Sequence, residues 1–157
     1  MRFANTTLSA IVTSYVTTLG ERKYDQIALY FAPNANWWVN GNPACNPDAG
    51  DGTVATRLPT LPGLLGRFDN LSFDVLNIVE QDDKVIAETI CTGLGPQDLV
   101  YVNNITMSFV LNDDGKFTTV REFPDFNELN WVNEWFKEHN TTGTSSRRSD
   151  SMGRKWA

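Results

Sequence analysis

One carboxylate, Glu122, sits in a setting where proton chemistry is possible. It belongs to FTTVREFPD, a run rich in β-branched and aromatic residues, which reads as the second arm of a β-hairpin. The first arm is LVYVNNITMSFVL, and Asp113-Asp114-Gly115 joins the two. A three-residue loop ending in glycine suits a type I turn closed by a bulge, because glycine accepts the left-handed conformation. That turn sets Asn112 opposite Lys116, Thr106 opposite Glu122 and Asn104 opposite Pro124. Side-chain alternation then sorts the hairpin into two faces. One carries Val102, Asn104, Thr106, Ser108 and Val110 with Thr118, Val120, Glu122 and Pro124. The other carries Tyr101, Ile105, Met107, Phe109 and Leu111 with Phe117, Arg121 and Phe123. The first, mixed face is either a wet side, common in antiparallel sheets, or the wall of an enclosed site.

Bulk properties narrow the class. A chain of 157 residues suits one domain, and 41% hydrophobic with 20% charged residues is ordinary globular composition. The net charge of −6 argues against a nucleic-acid partner. No apolar run approaches the roughly 20 residues of a membrane span. The N-terminal MRFANTTLSAIVTSYV has no continuous apolar core, which disfavours a signal peptide. Cys45 and Cys91 lack metal or redox spacing, so reduced thiols in a cytoplasmic protein are the simplest reading.

The remaining elements must position the hairpin. Thr6 or Thr7 caps a first helix, whose stripe of Leu8, Ile11, Val12, Tyr15, Val16 and Leu19 ends at Gly20. A second helix over residues 22–31 is broken by Pro33-Asn34. NANWWVNG follows as a short strand, with Trp37 and Val39 on one side and Trp38 on the other. Residues 41–56 form a long Gly/Pro/Asn/Asp-rich loop without calcium-loop spacing, of the kind that serves as a functional lid or is simply mobile. A third helix covers 61–68. Two strands, 71–79 and 85–93, precede the hairpin. In the second of these, Val85, Ala87, Thr89 and Cys91 share one side. FNELNWVNEWFKEH returns to helical period. The expected domain is 1–139, with a disordered tail over 140–157.

This order of elements resembles the cone-shaped α+β fold of the nuclear transport factor 2-like superfamily, and within it the SnoaL-like polyketide cyclase group. YDQIALYFAPNANWWVNG looks like the family's second helix entering its first strand. LNDDGKF resembles its acidic-Gly-Lys hairpin, and VREFPDF its Arg-Glu-aromatic-x-Asp final strand. The resemblance implies a curved antiparallel sheet wrapped around helices, with a pocket between them. Glu122 stands where relatives such as limonene epoxide hydrolase place an acidic pocket residue. The mixed face is then the pocket wall. The greasy face, with Ile105, Met107, Phe109 and Phe123, becomes the surface of a homodimer, with Arg121 beside Met107 serving it.

The chain also departs from those relatives. The Arg and Asp of the epoxide hydrolase pattern fall on Thr89 and Cys91, and the single histidine, His139, lies beyond the packed helix. Neither paired water activation nor histidine-based dehydration is implied. The implied function is a cofactor-free, metal-free isomerase or cyclase of secondary metabolism. Its substrate would be a hydrophobic polyketide, terpenoid or alkaloid intermediate. A non-catalytic binding or adaptor module of the same fold, or a hydrolase or dehydratase, is the alternative. In the implied pocket Glu122 would resist ionisation and pass a proton in either direction. Asn104 would hydrogen-bond a carbonyl or enolate, or bond backbone as an ordinary strand asparagine. Thr106 would orient Glu122 or simply favour the strand. Trp37, Tyr30, Val39, Val102, Thr89 and Cys91 would line the pocket; Trp37 serves equally well as core, a helix-end tyrosine such as Tyr30 is more often structural, and Cys91, with no histidine to activate it, reads as a small apolar filler. Asp125 would cap the terminal helix.

Overall fold

The computed structural model describes residues 7–44, 46 and 48–140. Thr6, Cys45 and the tail beyond Asn140, on which expectations were placed above, lie outside the described residues. Helix α1 (Leu8–Gly20) opens on Thr7, whose side chain accepts the Ala10 N–H, and it buries Ile11, Val12, Tyr15, Val16 and Leu19. Gly20 ends it against β2: a Cβ there would meet the Phe73 backbone nitrogen at 2.9 Å. Helix α2 (Tyr24–Ile27) continues as a 3-10 turn to Tyr30. Strand β1 (Phe31–Val39) begins before Pro33, so the helix ends earlier than the proline alone would require. Short helices α3 (Val54–Arg57) and α4 (Leu61–Leu65) follow, and α3 lies partly within the segment read as loop.

Strands β2 (Asn70–Gln81), β3 (Lys84–Gly95), β4 (Leu99–Leu111) and β5 (Phe117–Pro124) complete a five-stranded sheet, and α5 (Phe126–Asn140) closes the chain. The order is β1-β5-β4-β3-β2, with β1 parallel to β5 and the rest antiparallel. One face of the sheet packs on the helices. Its buried residues include Val85, Ala87, Cys91, Tyr101, Met107, Phe109 and Val120. Tyr15 reaches from α1 into this core with its ring edge-on to Phe31, Phe109 and Phe117.

The register of β4 against β5 corrects the sequence reading. The turn is as expected: Gly115 has φ +70°, and Asn112 N–H donates to the Lys116 carbonyl at 2.9 Å. Leu111 then pairs with Phe117, but Val110 pairs with Thr119. Thr118 is the extra residue of a bulge, and every later pair slips by one. Met107, not Thr106, faces Glu122, and Ile105, not Asn104, faces Pro124. A one-residue slip moves a whole strand's side chains to the opposite face. Ile105, Met107 and Phe109 therefore point inward, as core rather than dimer surface. Arg121 lies opposite Ser108 on the outside, with its guanidinium 4.3 Å from the Trp38 ring centre.

Candidate active site

Strand β1 pairs with β5 so that Trp37 stands opposite Val120 and Val39 opposite Glu122. Trp37 and Glu122 consequently share the inner face. The Trp37 indole Nε1–H donates to Glu122 Oε1 at 2.9 Å. The tryptophan is itself fixed by stacking on Phe31 with ring centres 5.0 Å apart, and by its backbone N–H bonding Gly52 O at 2.8 Å. Glu122 lines a cavity of about 110 Å³. The walls are mostly apolar: Leu61, Leu64 and Leu65 from α4, Phe73 from β2, Cys91 from β3, Ile105 and Met107 from β4, and Leu129 from α5.

Removal from water pushes the Glu122 carboxyl up to about 7, against the opposing pull of the Trp37 hydrogen bond and the Arg57 charge. Burial likewise pushes the Cys91 thiol up to about 12, so it is not a thiolate nucleophile at neutral pH.

Two arginines also line the cavity, and neither was singled out in the sequence. Arg57 is buried at the end of α3. Thr53 caps that helix through a reciprocal Thr53/Thr56 capping box. Its guanidinium donates to three carbonyls: Nε to Trp37, Nη1 to Asp48 and Nη2 to Gly50. It thus ties β1 to the 41–53 segment. That segment also pairs along β1 through Val39–Gly50 and Asn36–Thr53 bridges, and it contributes Asp48 to the cavity wall. Arg67 follows α4, donates from Nη2 to Asn133 Oδ1 at 2.6 Å, and lies over the Phe136 ring at 4.6 Å. No spacing marks these arginines: Arg57 ends a single-turn helix and Arg67 sits in the turn after α4, too short a stretch in either case to show a periodic face.

Of the residues singled out beforehand, Glu122, Trp37, Val39 and Cys91 converge on the cavity. Asn104, Thr106 and Val102 do not: the bulge places them on the outer face, all exposed. The neighbouring Asn103 takes the inward position. It is buried, donates to the Tyr101 hydroxyl and the Asp125 carbonyl, and accepts the Asp125 N–H. Thr89 is buried but spends its hydroxyl on the Ile105 carbonyl. Tyr30 hydrogen-bonds Ser14 and Thr18 and stacks on Phe117, away from the cavity. Asp125 accepts the Asn127 N–H at 2.9 Å, at the start of α5, as a cap does.

A curved five-stranded sheet over helices, with a half-buried carboxylate beside a mostly apolar cavity, is the nuclear transport factor 2-like fold. Residues 12–120 match the SnoaL-like domain, and the chain belongs to that family. Its curated relatives include UPF0523 protein C of Dictyostelium discoideum, 25% identical over 129 residues, covering 78% of this chain and 83% of the relative. Among solved structures, PrhC of Penicillium brasilianum superposes with a TM-score of 0.73 at 11% identity, covering 87% of this chain and 91% of that one. IdmH of Streptomyces antibioticus, provisionally a polyketide cyclase, superposes with a TM-score of 0.69 at 14% identity, covering 82% and 99%. Glu122 falls just beyond the matched family region, so its role rests on this chain's own geometry.

Proposed function

We propose that this chain is a cofactor-free isomerase or cyclase acting on a hydrophobic polyketide, terpenoid or alkaloid intermediate of secondary metabolism. The observation that carries the reading is Glu122, a carboxyl that titrates near neutrality at the wall of an apolar cavity, held at one oxygen by Trp37. At neutral pH both of its forms are populated, which suits a group that must take and return a proton. As carboxylate, Glu122 removes a proton from carbon next to a substrate carbonyl, and the electron pair delocalises as an enolate. Returning that proton to another carbon isomerises the substrate. Alternatively the enolate carbon attacks a second carbonyl to close a ring, and the new alkoxide takes the proton from Glu122. The apolar walls hold one folded conformer of the substrate during this transfer. The fold kinship with a provisional polyketide cyclase supports the same class.

Glu122→Gln keeps the shape and removes the acid. Introduced into the producing organism, it should make the same intermediate accumulate as gene deletion does; undiminished product would overturn the proton-transfer role. A second readout needs no substrate. Because the folded-state carboxyl rises from the ordinary 4.5 to about 7, the folded protein holds this proton more tightly than the unfolded chain. Stability should then be greatest below about pH 4.5 and decline as pH rises towards 7, by at most about 3 kcal/mol. The Gln variant should lack this component of the decline.

We also infer a homodimer formed through the outer sheet face. Val79, Ile86, Leu94, Val100, Val102 and Phe123 are all exposed there, more apolar surface than scattered single residues account for. The inferred setting for both activity and assembly is cytoplasmic.

A further inference from the structure

The two arginines of the cavity differ in what they have left to give. Arg57 has committed each of its nitrogens to a carbonyl. Arg67 has not. Its Nη2 bonds the neutral Asn133 amide, while its Nε is sealed from solvent without a hydrogen-bond partner. Among the described residues no carboxylate lies within 4 Å of it. Asp48, on the same cavity wall, acts on Arg67 only at longer range. A half-buried cation without a counter-ion is costly, and it persists where something else supplies the negative charge.

Tyr101 stands at the same end of the cavity. Its ring stacks on Phe68, the residue after Arg67, with centres 5.4 Å apart. Its hydroxyl oxygen accepts from Asn103 Nδ2. Asn103 turns its Nδ2, a donor, to the phenol and its Oδ1 to the Asp125 N–H, so it offers the phenol proton no acceptor. The Tyr101 O–H is therefore a donor without an acceptor among the described residues. Arg67, a cation, and Tyr101 both line a cavity whose remaining walls are largely apolar.

Resting on the reading of this cavity as a substrate site, we propose that Arg67 and Tyr101 anchor an anionic oxygen group, so that the ligand is an apolar molecule carrying one such group, for example a carboxylate. The anchor fixes one end of the ligand and leaves its apolar body to extend along the leucine-lined wall towards Glu122. Arg67 supplies a planar fork suited to such an oxygen group, and Tyr101 supplies a second donor.

The test is calorimetric titration of the full chain at pH 7.5 with 2-naphthoate and with the matched neutral 2-naphthamide. The carboxylate should bind at least about tenfold more tightly, corresponding to about 1.4 kcal/mol. The preference should weaken with added salt and disappear in Arg67→Met, which keeps an unbranched side chain over Phe136. Tyr101→Phe should reduce it in part. A purely structural role for Arg67 makes a different forecast for the empty protein: Arg67→Met should then melt well below the wild type. The anchor reading expects it to melt at or above it. Equal binding of the two probes, or a preference that survives Arg67→Met, overturns the anchor and leaves the Glu122 proposal standing. Failure of both probes to bind overturns the cavity as a ligand site, and both proposals with it.

Discussion

The two faces of strand β4 each carry an asparagine and lead opposite lives. Asn103, Ile105 and Met107 point into the molecule, where Asn103 and Met107 are each 1% exposed. Asn104, Thr106 and Ser108 point out. The contrast between Asn103 and Asn104 is the sharpest, since the side chains are identical and adjacent. Asn103 makes three hydrogen bonds that join β4 to the start of α5 and orient the Tyr101 hydroxyl. Asn104 lies on an open surface. Residue type alone therefore says little about a strand position; the face decides, and the register decides the face.

The largest effect that could break this comparison is at the inner asparagine. Asn103→Ala leaves the Asp125 N–H without its partner, strips the Asp125 carbonyl of one of its two donors while the Leu129 N–H remains, and frees the Tyr101 hydroxyl. We expect a loss of about 3 kcal/mol, measurable by urea unfolding. It should also loosen α5, because Asp125 caps that helix. A loss below about 1 kcal/mol would mean that the inner face is not knit together by this side chain.

An intermediate effect belongs to the outer face. If the exposed apolar residues there meet a second copy, Val102→Lys buries two like charges near a twofold axis and weakens the dimer at least about tenfold. Sedimentation velocity at micromolar concentration reads this directly. A wild-type chain that sediments as a monomer removes the dimer, and the outer face is then simply a wetted side.

How much of this was legible beforehand follows the same division. Helix α1, the Asp113-Asp114-Gly115 turn and the inward side of β3 could be read because each depends on short-range signals: a threonine cap, a left-handed glycine, a period of two. Glu122, Trp37, Val39 and Cys91 line the cavity, and it was the family resemblance, not a short-range signal, that pointed them there. Thr118 carries no mark of a bulge; it looks like any β-branched strand residue, and bulging depends on sheet geometry that no local pattern encodes. That single residue moved Asn104, Thr106 and Val102 off the cavity and brought Ile105 and Met107 in. Arg57 and Arg67 were invisible for another reason. Their inward direction is set by backbone carbonyls, an asparagine and aromatic rings supplied by distant segments, and no local pattern encodes such partners.

The smallest expected effect is also the cleanest discriminator of register. Asn104→Ala removes an exposed side chain for which no structural partner is found among the described residues, and alanine is only modestly less suited to a strand. Stability should change by no more than about 0.5 kcal/mol, and 2-naphthoate affinity should be unchanged. Were β4 in the unbulged register, Asn104 would face the cavity opposite Pro124, and its loss would weaken ligand binding while Asn103→Ala would be mild. The two registers thus exchange the ranks of two neighbouring alanine variants. Measuring the pair, instead of either alone, cancels any general sensitivity of the strand, because both positions share the same backbone neighbours. A reversed order would move Met107 away from Glu122 and dismantle the cavity described above.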